Sequence, residues 1–391
     1  MQWVERAIDL RAESRSHSLF LFGPRQTGKT TLMRASFPES RWYNLLDGDV
    51  FLRLSRRPHR LYEEIVAVES DEPIIIDEIQ KLPQLLDEVH LLTESAGRRF
   101  VISGSSAAKL RRGGVNLLGG RARTRRLYPL VSAEIPDWNI ERAARYGTLP
   151  PIWFSGEPEE DLRAYCGSYL QQEVQAEGLV RGIDSFARFL SVAGQRAGET
   201  VVFEHIASDA QVPARTVREF YHLLEDTLLG TMLPPFAPSG ARRKAVSRAK
   251  FYFFDNGVAN VLAERSGFGP GTTDYGRAVE HLVHNELQAR LEYTRDHRHL
   301  AHYRTLDGTE VDFIITDSLN DPSNTIAIEV KTTKHVQPRD LRGLKRLAEE
   351  TRLTRSIVTC FEPVRRVVDG ILIVPVADFF DSLWNGRILE G

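Results

Sequence analysis

Gly23, Gly28, Lys29 and Thr30 fall in the stretch LFLFGPRQTGKTTLM at the spacing G-x-x-x-x-G-K-T. That order of residue types suits a polyphosphate. The two glycines let the chain turn tightly enough for consecutive N–H groups to face one anion. Lys29 adds a mobile positive charge for the β- and γ-phosphates, and the Thr30 hydroxyl can ligate Mg²⁺. The residues expected around a nucleotide are Gly23, Gln26, Thr27, Gly28, Lys29, Thr30 and Thr31. About 50 residues on, EPIIIDEIQKLPQLL ends its apolar run in Asp77-Glu78. Asp77 is expected to anchor the Mg²⁺ beside Thr30, and Glu78 to polarise an attacking water. Ser103, in RRFVISGSS, is expected to sense the γ-phosphate or that water.

A second constellation lies near the other end. Glu280 belongs to DYGRAVEHLVHNELQARL, Asp312 to HYRTLDGTEVDFIITD, and Glu329 and Lys331 to NTIAIEVKTT. Strand alternation puts Glu329 and Lys331 on one face. Two acids and a lysine converging there would hold Mg²⁺ and activate a water, or would simply pair as a buried salt bridge. His281 and His284 flank Glu280, but two histidines three apart on a helix make no metal site without further ligands, so they are read as polar residues of the helix face.

The elements that must position these groups are legible around them. SLFLF reads as a buried strand feeding the glycine loop, and TTLMRASF as the helix after it, whose positive end faces the anion. Ile74 to Ile76 and the FVIS run read as further buried strands of a parallel sheet with helices on both faces. From about Pro136 the alternation stops and helices take over, with Leu162, Tyr165, Cys166 and Tyr169 on one face. In VVFEHIASDAQVPARTVREFYHLLEDTLLGTMLPPF, a short helix, a turn and a helix opened by Pro213 follow helix-turn-helix spacing. Val217, Phe220, Tyr221 and Leu224 then face inward, and Arg215 and Arg218 outward. LLGTML and AKFYFF would form the arms of a wing around a loop that carries Arg242, Arg243 and Lys244. Residues 234–250 hold five Lys or Arg and no acid, and residues 98–126 hold nine and no acid. Both stretches suit nucleic acid; a solvated linker and a subunit interface fit them equally.

The whole chain sets the frame. Its 391 residues suggest two or three domains, and its 51 basic against 53 acidic residues leave no global field for nucleic acid. Two cysteines, Cys166 and Cys360, make neither a disulfide framework nor a zinc site and suit a reducing compartment. With no apolar run near the ~20 residues of a membrane span and no signal peptide at the start, a cytoplasmic protein with no membrane partner is expected.

The glycine loop, the IIIDEIQ and FVISGSS strands and the later LLGGRARTRRLYPLVSAEI resemble AAA-type ATPases of a bacterial and archaeal group with a C-terminal domain of unknown function. The resemblance spans the chain. It implies an α/β fold in three parts: an AAA-type P-loop ATPase domain at 1–135, a helical lid and winged helix at 136–255, and a PD-(D/E)XK nuclease-like α/β domain at 256–391. It also implies ATP and Mg²⁺ as cofactors and a homo-oligomer, a ring included, in which an arginine completes the neighbour's site. The match is Arg121, one of four arginines at 121–126. The expected function is a Mg²⁺-dependent ATPase acting on DNA, single-stranded or branched, as a motor or remodeller. Two alternatives stay open: a nucleotide-controlled signalling or assembly switch, and an ATP-licensed nuclease.

Overall fold

A computed structural model of the chain describes residues 3–105, 110, 120–169, 182–238, 245–265, 268–319 and 322–389. It divides into two compact units, one of residues 5–129 with 226–228, the other of 1–4, 130–225 and 229–391.

The first unit is built on a five-stranded parallel sheet. Its strands are β1 (Ser18–Phe22), β2 (Trp42–Asn44), β3 (Ile74–Asp77), β4 (Phe100–Gly104) and β5 (Ala122–Arg126), in the spatial order β2-β3-β4-β1-β5. β1, β3 and β4 are buried along their whole length, which is why they read as continuous apolar runs. Helices Lys29–Ser36, Gly48–Arg56, Arg60–Val66 and Leu85–Ala96 connect them. Phe20, Phe22, Ile74, Ile76, Phe100 and Ile102 pack on Leu54, Leu61, Leu85 and Val89 from these helices. In register, Leu21 stands beside Ser103 and Ile76 beside Ile102, so the carboxyl ends of β1, β4 and β3 lie together.

The second unit begins with the helices Ile140–Tyr146, Pro150–Trp153 and Pro158–Ala164, followed by Ile183–Gln195, Phe203–Ala210 and Ala214–Asp226. A two-stranded antiparallel ribbon follows, β6 (Gly230–Leu233) with β7 (Lys250–Phe253). After helix Asn256–Leu262 comes the long helix Thr273–Tyr293, then a six-stranded mixed sheet. The sheet comprises β8 (His299–Arg304), β9 (Glu310–Thr316), β10 (Thr325–Val330), β11 (Arg355–Cys360), β12 (Arg366–Val368) and β13 (Ile371–Pro375) in the order β12-β13-β11-β10-β9-β8. The two faces of the sheet carry separate parts of its core, and an irregularity in the β8–β9 register between Ala301 and Tyr303 puts Val311 with Ile314 rather than with Phe313. Phe313, Ile315, Ile326 and Ile328 pack with Val279, Leu282 and Leu287 of the long helix, whereas Val311, Ile314 and Ala327 pack with Leu341, Leu344 and Leu347. On either side of residues 239–244 the chain between β6 and β7 meets β8: the Phe236 N–H donates to the His302 carbonyl at 2.7 Å and the Val246 N–H to the Arg304 carbonyl at 2.7 Å.

A buried carboxylate ties the start of this unit to its end. Glu286 accepts the Ser132 N–H at 2.6 Å, the Ser132 hydroxyl at 2.9 Å and the Trp384 indole N–H at 2.6 Å. Burial pushes its carboxyl up to about 7 from 4.5; the hydrogen bonds from Trp384 and Ser132 pull the other way, and nearby Glu134 adds to the rise. The folded state therefore holds a proton that the unfolded state has released between those values. Its stability is expected to fall as pH rises from about 4.5 to about 7, by on the order of 3 kcal/mol, and to level off above. Urea midpoints of the parent and of Glu286→Gln across that range check this, since the variant should lose that decline.

Candidate functional site

The glycine loop is pinned from several sides. Gly28 has φ +94°, a left-handed conformation that glycine adopts without strain, and it opens the helix Lys29–Ser36. A Cβ at Gly23 would stand 2.5 Å from the Leu127 carbonyl oxygen, so the loop must approach the chain after β5 with no side chain between. The Thr27 hydroxyl, fully buried, donates to the Pro24 carbonyl at 2.8 Å and closes the turn. The buried Lys29 ammonium donates to the Gly23 and Pro24 carbonyls at 2.7 and 3.0 Å, which draws it over the loop. Gln26, with φ +65°, and Thr31 are exposed at the rim. Arg6 also belongs to this site, though its type and position gave no sign of it. Its guanidinium donates to the Thr27 carbonyl at 2.8 Å and to those of Tyr128 and Pro129 at 2.8 and 3.2 Å.

The acids stand beside the loop. The Thr30 hydroxyl donates to Asp77 Oδ2 at 2.8 Å. The Ser103 hydroxyl donates to Asp77 Oδ1 and accepts the Glu78 N–H at 3.2 Å. Ser103 thus ties the two acids together. Glu78 has φ +64°, a conformation that costs a non-glycine residue about 1–3 kcal/mol and tends to persist where function over-determines it. Its carboxylate accepts the side-chain amide of Gln80, which also donates to Ser105 Oγ at 3.1 Å. Sequence reasoning missed this buried Gln80, because glutamine just past a strand end carries no signal of its own. Arg121 precedes β5, and its guanidinium pairs with Glu94 of the helix Leu85–Ala96. The preceding Gly119 lies outside the described residues.

Residues 15–135 match the family described as AAA domain. The residues that follow match two further families described as domains of unknown function, one over 137–268 and one over 275–379. Over 265 residues the chain is 28% identical to an uncharacterized protein of Mycobacterium tuberculosis, and equally to one of Mycobacterium bovis. Each match covers 64% of this chain and 57% of the relative. Among solved structures, a signal transduction ATPase with numerous domains and a tetratricopeptide repeat sensor, from Pyrococcus horikoshii, matches at 17% identity. The match covers 75% of this chain and 48% of that one, with a TM-score of 0.21, too low to carry an argument about the fold. The similarity to that family and the five-stranded parallel sheet with the glycine loop after β1 fit a P-loop ATPase domain.

Beyond the AAA domain, helices Phe203–Ala210 and Ala214–Asp226 form a helix-turn-helix pair, turning at Gln211 with φ +53°. Val217, Phe220, Tyr221 and Leu224 are buried, with the Phe220 ring 5.0 Å from Phe186 and the Tyr221 ring 4.9 Å from Phe189. Arg215 and Arg218 project outward, but each meets an acid. Arg215 lies 3.2 Å from Glu219, and Arg218 lies 3.5 Å from Glu204 while stacking 4.9 Å above the Phe203 ring. Arg242, Arg243 and Lys244 lie outside the described residues.

In the C-terminal part the structure brings the four expected residues to one neighbourhood and adds Lys250, Tyr252 and Glu310, which sequence reasoning did not place there. The Lys331 ammonium lies 2.5 Å from Glu329 Oε1, and Asp312 Oδ2 accepts the Val330 N–H at 2.8 Å. Glu280 Oε1 accepts the Tyr252 hydroxyl at 2.6 Å and the Lys250 ammonium at 3.1 Å. Lys250 also reaches Glu310 at 2.8 Å, and Glu310 lies 3.4 Å from Arg304. Burial, then the neighbouring Glu329 and Glu280, hold the Asp312 carboxyl well above its ordinary range. Burial opposes the charge on Lys331, but Glu329 and Asp312 outweigh it and raise the ammonium above the lysine range. Among the described residues, no three His, Cys, Asp or Glu side chains converge as a metal site. His281 and His284 depart from the expected polar face: both are buried, His284 stacked 4.1 Å from Tyr252 and His281 donating its Nε2–H to the Phe253 carbonyl at 2.6 Å. Burial pushes them down to about 3 and about 4, so they are neutral near neutral pH.

Among the described residues no helix is long and apolar enough to cross a membrane.

Proposed function

We propose that the protein is a Mg²⁺-dependent ATP hydrolase that works as a homo-oligomer and acts on DNA. The observation that carries the first part is the Thr30 hydroxyl on Asp77 at 2.8 Å, beside the loop that holds Lys29. A hydroxyl and a carboxylate already turned to one point are the donor set that a phosphate-bound Mg²⁺ takes from a protein. The residues fit the group: Thr30 and Asp77 would hold the metal, and the loop N–H groups with Lys29 would bind the β- and γ-phosphates. Bound Mg²⁺ neutralises charge on the phosphoryl oxygens. Glu78, held by Gln80, orients the attacking water, and Asp77 is fixed by Ser103. Arg121, supplied from one subunit to the next, would give up Glu94 for the γ-phosphate.

The DNA part rests on the helix pair, on Arg215 and Arg218, and on the cationic run Arg242, Arg243 and Lys244, in a helical lid and winged-helix segment followed by a nuclease-like fold. The pairing of Arg215 and Arg218 with Glu219 and Glu204 favours the second reading, a nucleotide-controlled switch whose middle and C-terminal parts bind proteins. ATP turnover with single-stranded, duplex and branched DNA separates the two. Stimulation by one of them supports the DNA reading, and neutralising those five residues should then flatten the salt dependence by roughly 0.7–0.9 in log–log slope per lost phosphate contact. Turnover indifferent to every DNA, with subunit assembly following nucleotide, would leave the switch.

A further inference from the structure

A buried lysine reaches the C-terminal acids from outside their own sheet. Lys250 comes from β7, is 2% exposed, and sets its ammonium 3.1 Å from Glu280 and 2.8 Å from Glu310. Lys331 takes Glu329, and the Val330 N–H takes one oxygen of Asp312. All four carboxylates therefore have an oxygen already engaged. We propose that Lys250 and Lys331 together stand in for a divalent cation in this cluster, so that the fold holds its acids without metal and does not cut phosphodiester bonds. The proposal rests on reading residues 256–391 as nuclease-like.

Charge and packing argue alike. Two ammoniums bring the two positive charges that Mg²⁺ or Mn²⁺ would bring. A cation entering beside Glu280 would have to displace Lys250, whose stem lies in a strand with Phe251, Tyr252 and Phe253 all buried. An ammonium stranded there without its carboxylates is strongly unfavourable, so the exchange is opposed twice. The arrangement also explains why a lysine from the β6–β7 ribbon is buried so far from its sequence neighbours' solvent: the chain before it meets β8 and delivers it to the sheet's edge.

The test measures uptake of Mn²⁺, by the loss of its free-ion electron spin resonance signal, in nucleotide-free full-length protein carrying Asp77→Asn to silence the ATP site. No uptake is expected in this background. Adding Lys250→Met should create a site for Mn²⁺, and adding Asp312→Asn to that should remove it. Uptake without any change at Lys250, abolished by Asp312→Asn, would overturn the proposal while leaving the nuclease-like reading in place. A folded Lys250→Met protein that takes up no Mn²⁺ would overturn it together with that reading, because the acids would then not form a cation constellation. If Lys250→Met does not fold, uptake at intact Lys250 that Asp312→Asn abolishes still overturns the proposal.

Discussion

Glu78→Gln is expected to bind ATP with near-parental affinity and to hydrolyse it roughly 10²- to 10⁴-fold more slowly, the range lost with a positioned general base. The substitution keeps the side chain's size and its place at φ +64° but removes the charge that orients water. Lys29→Ala should fail earlier, at binding, because its ammonium is the loop's mobile charge and is already drawn over the Gly23 and Pro24 carbonyls. Gln80→Leu lies between them: with the amide clamp on Glu78 gone, kcat should drop about 10-fold while affinity holds, a cost of lost positioning. Steady-state hydrolysis with parallel titration of a fluorescent nucleotide checks all three. Parental turnover in both Glu78→Gln and Lys29→Ala would remove the site assignment.

Arg121→Ala is expected to lose hydrolysis by about 10³-fold or more while keeping nucleotide affinity, the scale of a missing arginine finger. Within its own subunit the guanidinium is paired with Glu94, so its service to a neighbour requires that pair to open. Glu94→Gln should accordingly not lower turnover. Mixing Arg121→Ala with Glu78→Gln should restore part of the activity, since each hybrid assembly contains an interface with an intact acid on one side and an intact arginine on the other. A fully active Arg121→Ala protein, or one active as a monomer at every concentration, would contradict action between subunits.

Sequence legibility followed how local each signal was. The strands β1, β3 and β4 are buried on both faces and so show as unbroken apolar runs, and the glycine loop declares itself because close backbone approach tolerates few residue types. Helix periodicity located Val217, Phe220, Tyr221 and Leu224 for the same reason: the pattern is a property of neighbours three and four apart. What escaped were side chains whose meaning comes from distant partners. Lys250 looks like one more cation of a basic loop until β7 is laid against the long helix. Gln80 looks neutral until its amide is seen on Glu78. His281 and His284 are polar by type yet buried, because Tyr252, about thirty residues earlier, supplies the ring on which His284 stacks and against which His281 lies tilted.

Arg6 changes what counts as the edge of the unit that carries the glycine loop. The family match starts at residue 15, but the guanidinium that buckles the Thr27 carbonyl to those of Tyr128 and Pro129 sits nine positions before it. A fragment cut at the family boundary would keep every motif residue and lose the strap across the loop. Its phosphate cradle would have to be ordered by the nucleotide itself, at the expense of affinity. The signature by which the domain is recognised is therefore shorter than the piece of chain that holds the signature in shape.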